Sequence, residues 1–107
     1  MGDLEQLILF AVLQLGDDAC GVTIREELEQ RAGRVVSSGA IYTTLGRLEQ
    51  RGLVSSRVEE PEPGRTGRPR RFYVLEPVGA RALMTAYDTL QRVAGGLIPA
   101  LSELAGQ

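Results

Sequence analysis

Between residues 37 and 52 the apolar positions Ile41, Leu45 and Leu48 recur at spacings of four and three, which predicts a helix with one packed side. Opposite them lie Gly39, Thr43, Gly46, Arg47 and Gln50, with no large hydrophobe among them. Ser37 is placed to cap the start, its hydroxyl accepting from first-turn N–H groups, and Gly52 to end the helix in the left-handed conformation. Glycine inside a helix costs about 1 kcal/mol relative to alanine. A helix that keeps two of them on its open side offers bare backbone to something that approaches closely.

The flanking patterns predict what holds this helix. Residues 4–15 are nearly all apolar, and Asp3 with Gln6 forms a capping box at their start. A helix apolar all round must be covered all round. Gly16, Asp17 and Asp18 turn the chain. A second helix over 22–32 points Ile24 and Leu28 inward and Arg25, Glu26 and Glu29 outward, with Gly33 closing it. Two short helices joined tightly, followed by an open polar face, make a helix-turn-helix. Residues 53–58 and 70–75 predict strands, joined by a loop over 59–69 rich in Pro, Gly and Glu. On the returning strand Phe72 and Val74 share one face, and Arg71, Tyr73 and Leu75 the other. Glu76 and Pro77 open a last helix whose apolar positions Leu83, Ala86, Leu90, Val93, Leu97, Ala100 and Leu104 alternate three and four apart. Gly95-Gly96 and Pro99 predict a kink or break near 95–98. The expected fold is mainly α with a small β-hairpin (α+β). It comprises a winged helix-turn-helix over residues 1–76 and a C-terminal dimerisation helix over 77–107.

Composition narrows the function. The chain has 107 residues and no His, so its one cysteine, Cys20, has no Cys–His partner and no disulfide partner. With no Lys, no Cys/His metal site and no Gly-rich phosphate loop after a strand, an enzyme is not expected, nor a metal or cofactor. Glu59, Glu60 and Glu62 lie in a loop that cannot fix the geometry of a carboxylate pair. The apolar run at 4–15 is too short to span a bilayer and lacks the positive start of a signal peptide, which predicts a soluble cytoplasmic protein with no membrane partner. Net charge is −2, yet its distribution is uneven. Residues 34–73 carry eight Arg against four Glu, and the remainder four Arg against ten acids. One basic working surface on an acidic body is the pattern of a nucleic-acid binder.

The wording of two segments carries a resemblance. S-G-A-I-Y-T-T-L-G-R-L-E-Q-R-G-L-V, from Ser38, and G-R-P-R-R-F-Y-V-L-E-P-V-G-A-R-A-L, from Gly67, resemble the PadR family of bacterial transcriptional regulators. The likeness runs from about Leu7 to Leu83, with a short tail like that of the family's compact members. Three departures stand out: Cys20-Gly21-Val22 replaces a common His-Gly-Tyr, Glu76 a common Thr, and no Trp is present for stacking on a planar drug. The resemblance implies a repressor that releases DNA when an effector binds.

The expected site follows. Ser37, Ser38, Thr43 and Arg47 would donate to phosphates or base edges of double-stranded DNA, while Gly39 and Gly46 admit close approach. Tyr42 flanks the open face, where its hydroxyl can reach a phosphate or its ring can pack half-buried. Arg65, Arg68, Arg70 and Arg71 would lie on the backbone or in the minor groove. Leu4, Leu7, Ile8 and Ala11 of the first helix and Leu83, Ala86, Leu90, Val93 and Leu97 of the last are the expected homodimer interface, because 107 residues supply few partners for both helices. An apolar small-molecule effector would sit between the two copies. The competing class is a winged-helix protein–protein interaction module, whose signature would be apolar residues on the open face; few are there.

Overall fold

A computed structural model describes residues 1–64 and 67–107. The elements run α1 (Asp3–Leu15), a 3-10 turn (Gly16–Asp18), α2 (Gly21–Ala32), α3 (Ser38–Gln50), β1 (Val54–Glu59), β2 (Arg70–Leu75), α4 (Pro77–Ala94) and α5 (Ile98–Ala105). β1 and β2 pair antiparallel, with Val54 opposite Leu75 and Glu59 opposite Arg70. This is the mixed α and β architecture that the periodicities predict.

α1, α2 and α3 converge on one core in which Ile8, Leu9, Ile24, Ile41, Leu45, Leu48 and Val54 are fully buried. The hairpin docks on it through Tyr73, which is buried and whose N–H donates to Ala19 O at 2.8 Å. The residues before α2 thus act as a short third edge to β2, with Cys20 bridged to Phe72. α4 starts against the hairpin: Glu76 N–H donates to Leu53 O at 3.0 Å, and Gly79 lies so close that a Cβ there would sit 2.1 Å from that same carbonyl. Gly79 is therefore a contact point between two backbones.

Two expectations change. Asp3 does not cap α1: Gly2 holds that position without a side-chain cap, and Asp3 is the first helical residue. Its carboxylate pairs with Arg34 at 2.6 Å instead, still beside the positive end of the helix, and Gln6 Nε2 donates to Met1 O at 3.1 Å. The second change concerns the apolar faces. Ile8, Ala11 and Leu83 were expected at a dimer interface, but in the single chain all three are buried in its own core. α1 is apolar all round, and its own domain takes the Ile8–Val12 side while Phe10 and Leu13 stay exposed. Leu4, Leu7 and Ala86 are half-buried.

Past Ala86 the last helix leaves the body. Leu90, Val93 and Leu97 are exposed, as are Met84, Tyr87, Ile98, Leu101 and Leu104. α4 ends at Ala94, and α5 restarts at Ile98 after Gly95, Gly96 and Leu97, with Gly96 at φ 79°. The chain measures 58 × 30 × 20 Å. No helix among the described residues is long and apolar enough to cross a membrane.

Candidate nucleic-acid interface

The start of α3 is built by its own side chains. Ser37 Oγ accepts from Ala40 N–H at 3.1 Å, and the buried Thr44 hydroxyl donates to Ala40 O at 2.8 Å. Ile41, Leu45 and Leu48 anchor the inner side in the core. Ser38, Gly39, Tyr42, Thr43, Gly46, Arg47 and Gln50 are all exposed. A Cβ added at Gly39 or Gly46 would meet nothing within 4 Å, so none of the described residues covers this side at those two positions.

Tyr42 does both things its position allows. Its ring lies against the backbone of Gly21 at the start of α2, where a Cβ would come within 2.4 Å of it, and it stays 49 % exposed. Beside it opens a cleft of about 410 Å³ lined by Cys20, Val22, Tyr42, Arg68, Pro69, Arg70 and Arg71. The fold thus gathers one flank of α3 and three wing arginines around one concavity. Arg65 lies outside the described residues. The side chains of Arg47, Arg68 and Arg70 make no hydrogen bond or ion pair among the described residues. Arg71 differs: its Nη1 donates to Ser56 Oγ at 2.9 Å, and Ser56 Oγ donates to Glu49 Oε2 at 2.6 Å. Opposite Ser56 in the hairpin stands Tyr73, whose phenol burial pushes above its ordinary value; the Arg71 guanidinium pulls it down, and the Glu49 carboxylate and Tyr42 push it up.

Three features of this surface escape the sequence pattern. Arg25 is outward on α2, and its Nη1 donates to Ser38 Oγ at 3.2 Å, which brings a further cation to the start of α3. Gly21 is the floor on which Tyr42 rests. Arg57 stacks 5.2 Å above the Phe72 ring while pairing with Glu59 at 3.1 Å. Each depends on residues from different elements, and spacing along the chain carries no sign of such meetings. Thr23 is a local exception: its Oγ1 accepts from Cys20 N–H at 2.9 Å, a capping box of Cys20 and Thr23 that a three-residue spacing can reveal.

Among the described residues no group of His, Cys, Asp or Glu is arranged to hold a metal ion. The surface combines donors, cations and bare backbone, which suits an anionic polymer better than a reacting substrate.

Residues 9–85 match the model of the transcriptional regulator PadR-like family. The transcriptional regulator Rv3488 of Mycobacterium tuberculosis is 36% identical over 86 residues, which span 80% of this chain and 76% of that protein. Two solved structures share the fold. A PadR family transcription regulator from Clostridium difficile R20291 has a TM-score of 0.76 at 21% identity, covering 94% of this chain and 99% of the other. Bacillus subtilis PadR, solved in complex with operator DNA, has a TM-score of 0.67 at 21% identity, covering 81% of this chain and 48% of the other. The match across most of the chain agrees with the two segments that carry the resemblance and with the observed winged arrangement: this protein belongs to the PadR-like family of transcriptional regulators and is not an enzyme.

Proposed function

We propose that this protein is a repressor that binds a palindromic DNA operator as a homodimer. α3 enters the major groove, whose width of about 12 Å admits one helix. Ser38, Thr43 and Arg47 face the bases and flanking phosphates across the bare backbone of Gly39 and Gly46, with Ser37 at the helix start. One DNA strand runs past the cleft beside Tyr42, where Arg68 and Arg70 neutralise phosphates. The observation that carries this reading is the uncovered polar side of α3 beside a cleft shared by Tyr42 and the wing arginines. A protein-docking surface would carry apolar residues there, and Tyr42 is the one large apolar-bodied side chain on that side.

The dimer half of the proposal rests on α4 and α5. An isolated chain rarely exposes a run of large apolar side chains such as Leu90, Val93, Leu97, Leu101 and Leu104. Two copies joined there would present two α3 helices to half-sites about one helical turn apart. Release by an apolar effector has support in a groove of about 490 Å³ between α1 and α2, lined by Leu7, Phe10, Ala11, Leu13 and Leu28 and edged by the Glu27–Arg31 ion pair. α4 does not line this groove in the single chain.

Selection of random duplexes with the purified protein tests the reading. Enrichment of a two-fold-related sequence is the expected result; recovery of no preferred sequence overturns it.

A further inference from the structure

Of the described arginines on β2 and the segment leading into it, Arg71 is the one that is engaged. Arg68 and Arg70 make no hydrogen bond or ion pair among the described residues, whereas Arg71 is linked through Ser56 to Glu49 by bonds of 2.9 and 2.6 Å. The three residues come from three elements: Glu49 from the last turn of α3, Ser56 from β1 and Arg71 from β2. In the hairpin register Ser56 faces Tyr73 and Val58 faces Arg71, so Arg71 reaches Ser56 diagonally on one face. It is the face turned to the helices, since Val54 and Tyr73 on it are buried.

The chemistry of the link is directional. A serine hydroxyl has one proton and spare lone pairs. Here the proton goes to the Glu49 carboxylate, and a lone pair accepts from the Arg71 guanidinium. Both bonds have an ionised partner, which makes each stronger than a neutral bond, and in series they polarise one another. The buried Tyr73 phenol feels both charges, in opposite directions.

We propose that Glu49, Ser56 and Arg71 form a strut that sets the angle of the wing against α3, so that Glu49 and Arg71 are positioning residues for DNA readout rather than phosphate contacts. The role in readout rests on the DNA-binding reading above. A helix and a wing that grip one duplex must hold a fixed mutual angle, and the contacts within the hairpin do not set it. The strut joins the end of α3 to both strands at once. Arg68 and Arg70 are left free to follow the phosphates.

The two roles for Arg71 predict opposite results at Glu49. If Arg71 only touches phosphate, Glu49→Gln removes a negative charge near the duplex and binding is unchanged or tighter. If the strut operates, the same change loosens the wing and weakens operator binding. With the full chain and the selected operator duplex, we expect Glu49→Gln and Arg71→Gln each to weaken binding roughly tenfold, and the double variant no further than either alone. The slope of log affinity against log salt stays that of the parent. Undiminished binding by Glu49→Gln, or a slope shallower by about 0.9 in Arg71→Gln, overturns the proposal. A second measurement needs no DNA. In the free protein, Ser56→Ala and Glu49→Gln should quicken amide hydrogen exchange in β1 and β2 by the same factor while the helical circular dichroism holds. Unchanged exchange overturns the strut. Quickened exchange in a chain that enriches no duplex supports the strut and leaves the DNA-binding reading alone to fail.

Discussion

Four glycines divide by what a methyl group would meet at each. At Gly39 and Gly46 it would meet open space on the outer side of α3. At Gly21 it would strike the ring of Tyr42, and at Gly79 the carbonyl of Leu53. Gly46→Ala is therefore expected to stabilise the fold by about 1 kcal/mol through helix propensity. The same methyl would hold DNA off the backbone and weaken operator binding by about tenfold. A higher melting temperature with undiminished operator affinity would remove Gly46 from the interface. Gly79→Ala should do the reverse of stabilising: overpacking costs about 1–3 kcal/mol, read from denaturant unfolding. An unchanged midpoint would show that α4 shifts away without cost. The outer glycines are legible in sequence because they break a helical pattern on the side that has no hydrophobes. Gly79 is not, because only the crossing of α4 over Leu53 makes it necessary.

Among elements, the wing carries the least sequence information about its own geometry. Alternation at residues 53–58 and 70–75 announces two strands, and the composition between them announces a loop. The pairing of Glu59 with Arg70, and the attachment of Tyr73 N–H to Ala19 O, come from the core on which the hairpin is laid. Arg68 and Arg70 emerge from that docking beside the cleft at Tyr42. Replacing both by Ala should make the salt slope of operator binding shallower by about 0.9 for each phosphate no longer neutralised, measured by titration at several ionic strengths. An unchanged slope would take the wing out of the interface. α1 shows the same division between pattern and packing. Its apolar run predicts a helix that needs cover, but nothing in the run says which side goes to the chain's own core. The structure puts Ile8, Leu9, Ala11 and Val12 inside and leaves Phe10 and Leu13 out. Phe10 meets Tyr87 of α4 edge-on, with ring centroids 6.2 Å apart.

For the whole molecule, the decisive feature is that α4 begins in the core and ends in solvent. Leu83 is 4 % exposed, while Leu90 is 61 % and Val93 is 73 % exposed on the same seam. Leu90→Asp with Val93→Asp should therefore leave a folded monomer, seen by sedimentation with circular dichroism retained. Its operator affinity should fall by about 10²-fold, because two linked half-site interactions become one. A double variant that still sediments as a dimer would move the interface elsewhere, to the Phe10 and Leu13 side of α1.

The order of elements, the capped helix with a polar side, the break at Gly95-Gly96 and the family were all readable from the chain alone. Each depends on neighbours within a few residues or on a contiguous motif. Which arginines are free and which are engaged, which glycines are required and which apolar residues remain for a partner depended on tertiary structure. Those properties arise where separate elements cross, at distances that bear no relation to sequence spacing. Ser37 caps its own helix and could be seen doing so, whereas Arg71 needed β1 and α3 in place before Ser56 and Glu49 could hold it.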